Sequence, residues 1–390
     1  MTEKIYEDDE DVQRPQRHGF RRFLMFLLIL ALVLGVVLVA AYRDGTGFDA
    51  LHRYFSYGSA AKKSGTIGYS YDDATNNRFA VLNDGLVVLS GAELQYLDED
   101  GKQVCDETVS MTAPALAIGG GCAVAYDVGG TELYVIGKSG VLLHLTAEED
   151  EPFIAATLNG KGWLAVTSEK KNYKGCVSVY DAKMDLVFAF NSSDRFVTNA
   201  YVMDSDNTLA AVTLGQKDSV FISNVVLYDL SATDPKANYD VDNGLVFDIG
   251  ELNSQFTTVS DTCLTFAGSG GKVKGSYDYS GEYLREYDLT GDGFAALLLN
   301  RYQSGSVGRL VTVDADGKEI ASLDVNSEVL SVSAAGRYLT VLYSDSCVIY
   351  NEELQEYAKL SGTDYAKEAL MRQDGSVLLI AAEKASLFLP

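Results

Sequence analysis

The chain has 390 residues, of which 55 are acidic and 31 basic, for a net charge of −24. Such a surface repels phosphate backbones and anionic headgroups, which excludes nucleic acid as a partner and argues against a body lying flat on a bilayer. Only three histidines are present, one of them beyond residue 60, so chemistry that turns on an imidazole has little to work with.

Residues 1–22 form a polar tail with the acidic run Glu7-Asp8-Asp9-Glu10-Asp11. Residues 23–42 (FLMFLLILALVLGVVLVAAY) carry no charge and are bounded by Arg21-Arg22 and Arg43-Asp44. About 20 apolar residues at a 1.5 Å rise match a hydrocarbon layer of roughly 30 Å, so the spacing predicts one transmembrane helix. Arg14, Arg17, Arg21 and Arg22 precede it, against Arg43 and Arg53 after it. Positive charge stays inside, which sets the N-terminus in the cytoplasm and the body outside the cell membrane. A cleaved secretory signal ending near Val39-Ala40-Ala41 is the rival reading; both the apolar stretch and its leader are long for one.

Residues 43–64 read as a juxtamembrane stalk, with Phe48, Leu51 and Phe55 on one face of a short helix and Ser59–Gly65 as linker. From residue 43 to the end lie 26 basic and 49 acidic residues, a net of −23, which keeps an exported domain soluble.

From residue 65 to 390 an alternating β run ending in an aromatic or aliphatic residue, then a turn former, keeps returning: LQYLDEDG, LYVIGKSG, VSVYDAKM, VVLYDLSA, KGSYDYSG, LVTVDADG and CVIYNEEL. The residues before the turns are Leu97, Ile136, Tyr180, Tyr228, Tyr277, Val313 and Tyr350, at steps of 39, 44, 48, 49, 36 and 37. Units of about 40–50 residues built of several short strands are the pattern of an all-β propeller. The final unit, ending at Ala385–Leu389, lacks an outer strand, and Gly65–Tyr71 suits the gap. This closure predicts eight blades, with seven as the alternative because the limits around residues 246–300 are blurred.

No constellation in the body names a reaction. His144 lies in a strand setting (VLLHL), and the five cysteines, Cys105, Cys122, Cys176, Cys263 and Cys347, are too scattered for metal ligation. A Cys105–Cys122 bridge is not decided by spacing. Asp204-Ser205-Asp206-Asn207 opens like a calcium loop but lacks its glycine and distal glutamate, and reads as a turn. Gly119-Gly120-Gly121 and Gly129-Gly130 read as hairpin loops. Quinone-dependent propellers repeat a tryptophan-centred motif, whereas this chain has Trp163 alone. No catalytic residue, cofactor or metal ligand is therefore assigned.

Ala125–Gly130 (AYDVGG), Asn159–Val166 (NGKGWLAV) and Tyr173–Asp181 (YKGCVSVYD) resemble an uncharacterised domain family of single-pass membrane proteins from Gram-positive bacteria. The resemblance implies a propeller-like extracytoplasmic part and no transferable site. The resulting expectation is a membrane-anchored binding scaffold for an envelope protein or cell-wall polymer, working through loops such as Lys170–Gly175 and Ala232–Asn243. The alternatives are an enzyme acting on wall carbohydrate or peptide through funnel carboxylates, and a transmembrane sensor.

Overall fold

The computed structural model describes residues 24–30, 32, 33 and 35, and residues 68–390 apart from 75, 207, 218, 219, 233, 242 and 243. Two compact units divide the chain, Met1–Ser59 and Ala60–Pro390. In the first, residues 24–30, 32, 33 and 35 are helical. No helix among the described residues is long and apolar enough to cross a membrane. The rest of the 23–42 stretch, the 1–22 tail and the 43–64 stalk with Phe48, Leu51 and Phe55 lie outside the described residues.

In the second unit every regular element among the described residues is a strand, and the strands form eight antiparallel four-stranded sheets. In chain order the blades cover residues 78–108, 114–146, 153–191, 196–241, 246–278, 283–325 and 329–361. The eighth combines 368–388 with Gly68–Ser70, whose partners are Gly68↔Ser386, Tyr69↔Ala385 and Ser70↔Lys384. The gap left by the last unit is thus filled from the other end of the domain. Eight is the blade number.

The recurring turn has the chemistry its sequence implies. Asp98 Oδ1 accepts from the amides of Asp100 and Lys102, at 3.0 and 2.9 Å. Asp314 Oδ1 repeats this with Asp316 and Lys318, both at 2.9 Å, and Gly101 and Gly317 take the left-handed positions at φ 76° and 77°. Just after each such turn the outer strand carries one extra residue: Val104, Leu142, Val187, Lys236, Lys274, Ile320 and Tyr357. This bulge bends the outer strand and sharpens the blade's twist.

One correction concerns the fifth repeat. Tyr277 belongs to the outer strand Val273–Asp278; the counterpart of the other markers is Ala267, the last residue of Cys263–Ala267. That blade ends its third strand in Ala-Gly-Ser-Gly-Gly, so the aromatic-Asp signature is missing there and recurs one strand later.

Eight clusters of buried apolar side chains hold the ring, one at each seam between neighbouring blades. A single blade has two apolar faces and no partner of its own, which is why closure is needed. Polar ties cross the same seams: Thr157 Oγ1 donates to Ala200 O at 2.6 Å, and Gln255 Nε2 to Ala315 O at 2.8 Å. The amide of Ala369 donates to Ser331 Oγ at 2.9 Å. At the closing seam Tyr69 is fully buried, Tyr71 Oη donates to Ala381 O at 2.8 Å, and the buried Arg372 reaches Asp84 at 3.4 Å. All five cysteines are free thiols, so Cys105 and Cys122 are not bridged.

Candidate functional site

Strand direction gives the ring two unlike rims. One carries the tight turns between first and second and between third and fourth strands. The other carries the connections between blades and those between second and third strands, including the seven-residue segments 169–175 and 301–307. We refer to this second rim as the loop rim.

Seven aromatic side chains in the described part of the ring are prominently exposed: Tyr173, Phe196, Phe221, Phe247, Tyr283, Tyr302 and Tyr365, between 45% and 68%. Every one of them lies at the loop rim. Phe221 sits near the tip of a hairpin whose outermost pairs, Gly215↔Ile222, Gln216↔Phe221 and Lys217↔Val220, run past the start of the neighbouring first strand. Five first strands also carry an extra residue near their loop-rim end, namely Ile154, Thr198, Phe247, Arg285 and Leu330. Bulges of this kind re-aim side chains and interrupt pairing, and they favour functional rims.

Cavities open at several seams along this rim. Between blades 6 and 7 lie one of 520 Å³, lined by Arg285, Asn300, Gln303, Ser304 and Glu328 among others, and one of 440 Å³ around Asp324, Ser327 and Asp345. Another of 360 Å³ lies at the closing seam between Asp73, Phe79 and Glu368. One of 370 Å³ is built between blades 3 and 4 from Lys170, Tyr173, Lys174 and Phe196. The segment Lys170–Gly175 expected from sequence is therefore part of the rim. Its lysines are committed: Lys170 pairs with Glu151, Lys171 with Asp150 at 3.1 Å, and Lys174 Nζ stands 5.6 Å from the Phe196 ring centre. Ala232–Asn243 is different, being largely the outer strand Pro235–Val241.

First strands also bring acidic groups toward the axis. Glu286 and Glu368 belong to non-adjacent blades, 6 and 8, yet each carboxyl is pushed up to about 7. For Glu286 burial is the main cause, followed by repulsion from Glu368; for Glu368 burial dominates and Arg78 partly offsets it. Asp248 and Asp288 are raised by burial too, but they act as seams. Asp248 accepts from Tyr287 Oη at 2.8 Å and from Asn199 Nδ2 at 3.3 Å, and Asp288 Oδ2 from the amide of Ala334 at 2.8 Å.

The remaining residues singled out in the sequence have local partners. His144 stacks on Tyr134 with ring centres 4.1 Å apart, and its Nε2 lies 2.6 Å from Glu132 on the same blade. The amide of Asp204 donates to Glu251 across a seam at 2.6 Å. Trp163 is half-buried in the seam of blades 3 and 4, its amide bonded to Asn159 Oδ1 at 2.8 Å. Gly120 and Gly129 sit in hairpin turns at φ 57° and 78°.

The fold is shared with solved structures at low identity. The C-terminal WD40 domain of Sif2 aligns at TM-score 0.57 and 13% identity, covering 82% of this chain and 96% of that one. The computationally designed Ika8 protein gives 0.56 and 13%, with 82% and 98% covered. BamB from Moraxella catarrhalis gives 0.50 and 13%, with 82% and 97% covered. No curated protein matches the sequence. The model of DUF5711, a family of unknown function, matches residues 59–385.

Proposed function

With residues 59–385 under one family model the chain belongs to DUF5711, and from that premise we propose that it is a membrane-anchored, extracytoplasmic propeller that captures a partner on its loop rim. The anchor is the apolar stretch 23–42, with the N-terminus in the cytoplasm and the ring outside. The partner is an envelope protein or a cell-wall polymer. The observation that carries this reading is the confinement of all seven prominently exposed aromatic residues to one rim. Exposed aromatics are costly in a soluble domain and are enriched where another surface covers them.

A photoreactive residue placed at Tyr302, Phe221 or Tyr173 in cells that make the protein should yield discrete adducts, while the same residue at Lys138 or Asn253 on the opposite rim should not. Equal adducts from both rims would reject the loop rim as the capture surface. For topology, a C-terminal alkaline phosphatase fusion is expected to be active, and a fluorescent C-terminal GFP fusion would overturn the orientation.

A further inference from the structure

We propose that the cavity at the closing seam is a binding site for a primary ammonium group, with Glu368 as counter-ion, Asn77 Oδ1 as a further acceptor and the Phe79 ring as a flat wall. This small-ligand site stands apart from partner capture by the exposed aromatics. Asp73, Asn77, Phe79, Lys367, Glu368 and Ala381 are among the residues lining its 360 Å³, which falls within the roughly 300–1,000 Å³ of small-ligand clefts. Its walls are fixed. Asn77 N donates to Ala74 O at 3.3 Å and Asn77 Nδ2 to Asp72 O at 2.8 Å, which folds the 72–77 segment. The Phe79 ring packs against Tyr71 with centres 5.1 Å apart, and Tyr71 Oη donates to Ala381 O at 2.8 Å. The amide of Lys367 donates to Ile380 O at 2.7 Å, just ahead of the strand that carries Glu368.

The groups this cavity leaves unpaired are acceptors. Its one ammonium, Lys367 Nζ, is taken by Asp73 at 3.2 Å. Asp72 O can only accept, so it fixes the Asn77 amide nitrogen, and Asn77 Oδ1 is left buried with no partner among the described residues. Glu368 is half-buried, and its carboxyl makes no hydrogen bond or ion pair among the described residues. Burial holds that carboxyl up at about 7, and Arg78 offsets this only in part. Positive charge and N–H donors are what the site lacks, and a primary ammonium brings both. The Phe79 face adds a cation–π attraction.

Other classes fit less well. An anion meets only acceptors on a chain of net charge −24. A quaternary ammonium has no N–H for the two acceptors, and one ring is not the aromatic cage such groups use. A metal ion needs more ligands, and no group of three or more His, Cys, Asp or Glu placed to hold one occurs among the described residues. An alcohol can pair with the acceptors but brings no charge to Glu368.

The test is calorimetric titration of the detergent-solubilised full chain at about pH 8, where Glu368 is mostly ionised. The probes are n-butylammonium, acetyl-lysine methylamide, tetramethylammonium, 1-butanol and calcium chloride. A primary ammonium probe should bind below about 5 mM. It should also raise the thermal midpoint, because the cavity joins blades 1 and 8. Glu368→Gln should weaken binding by about tenfold or more, and Phe79→Leu by about threefold or more. Glu328→Gln, in the cavity between blades 6 and 7, should leave it unchanged. The tighter of the two primary ammonium probes tells whether the group arrives on a free amine or on a lysine side chain. Folding of each variant is checked by circular dichroism; Phe79→Leu decides alone if Glu368→Gln does not fold. No binding of either primary ammonium, undiminished binding by a folded variant, or equal or tighter binding of tetramethylammonium, 1-butanol or calcium would each overturn the site.

Discussion

Glu286 is raised by burial and by repulsion from Glu368, and Glu368 by burial that Arg78 only partly offsets, so each keeps its proton up to about pH 7 against a usual value of 4.5. Between those two limits the native state binds protons that the unfolded chain releases. The stability they contribute is therefore full below about pH 4.5 and lost as pH rises through about 7. At about 1.4 kcal/mol per unit, with the two titrating as a coupled pair, the effect is on the order of 2–4 kcal/mol. Replacing both by Gln should raise the thermal midpoint at about pH 8 and flatten its decline from about pH 5 to 8. A slope equal to wild type would show that the pair is paired off in solution. The thiols behave in a related way: burial raises Cys105, Cys122, Cys176 and Cys347, which suppresses the reactive thiolate. Ellman's reagent should therefore react slowly with the native protein and count five thiols after denaturation. A lower final count would reveal a disulfide.

The closing strand, Gly68–Ser70 among the described residues, places Tyr69 and guides Tyr71 into the seam of blades 8 and 1. Tyr69→Ala should cost about 3–5 kcal/mol in urea denaturation, as for other large-to-small changes in a core. An effect under about 1 kcal/mol would mean that the strand is dispensable. Gly120 poses a backbone constraint at the seam of blades 2 and 3: a Cβ there would lie 2.0 Å from Gly162 N, and φ is +57°. Gly120→Ala should thus destabilise by about 2–4 kcal/mol, whereas Gly129→Ala, which meets open space, pays only for its positive φ. Legibility in the sequence followed the same physics. Strands and blade number were readable because Asp98, Asp181 and Asp314 cap the turns after the third strands of their blades, and the same oxygens are seen doing so. Blade 5 was misphased because glycines replaced that aspartate. The loop rim was half readable: Lys170–Gly175 stood out by composition, but Phe196, Phe247 and Tyr283 begin strands whose alternation hides their exposure. Arg285 gave no signal at all, since a bulge depends on register with a neighbour and not on the residue itself.

Taken as a ring, the protein separates its tasks by direction. Seams between blades use apolar side chains and buried carboxylates, while the rim keeps its aromatics and open polar groups for contact. Contacts of the aromatic kind are little screened by ions. Adduct yields from Phe221 and Tyr302 should accordingly persist when salt is raised from about 0.05 to 0.5 M, and a steep loss would point to charge-led capture instead. The way the circle is fastened has a mechanical corollary. Among the described residues three pairs, Gly68↔Ser386, Tyr69↔Ala385 and Ser70↔Lys384, join the closing strand to the last one. Their hydrogen bonds lie across the strands, so a force directed along the strand would load them together in shear. Losing them would strip blade 8 of its outer strand, while Leu370, Leu378, Ile380 and Ala385 of its other strands would still pack on Leu86, Val88 and Leu97 of blade 1.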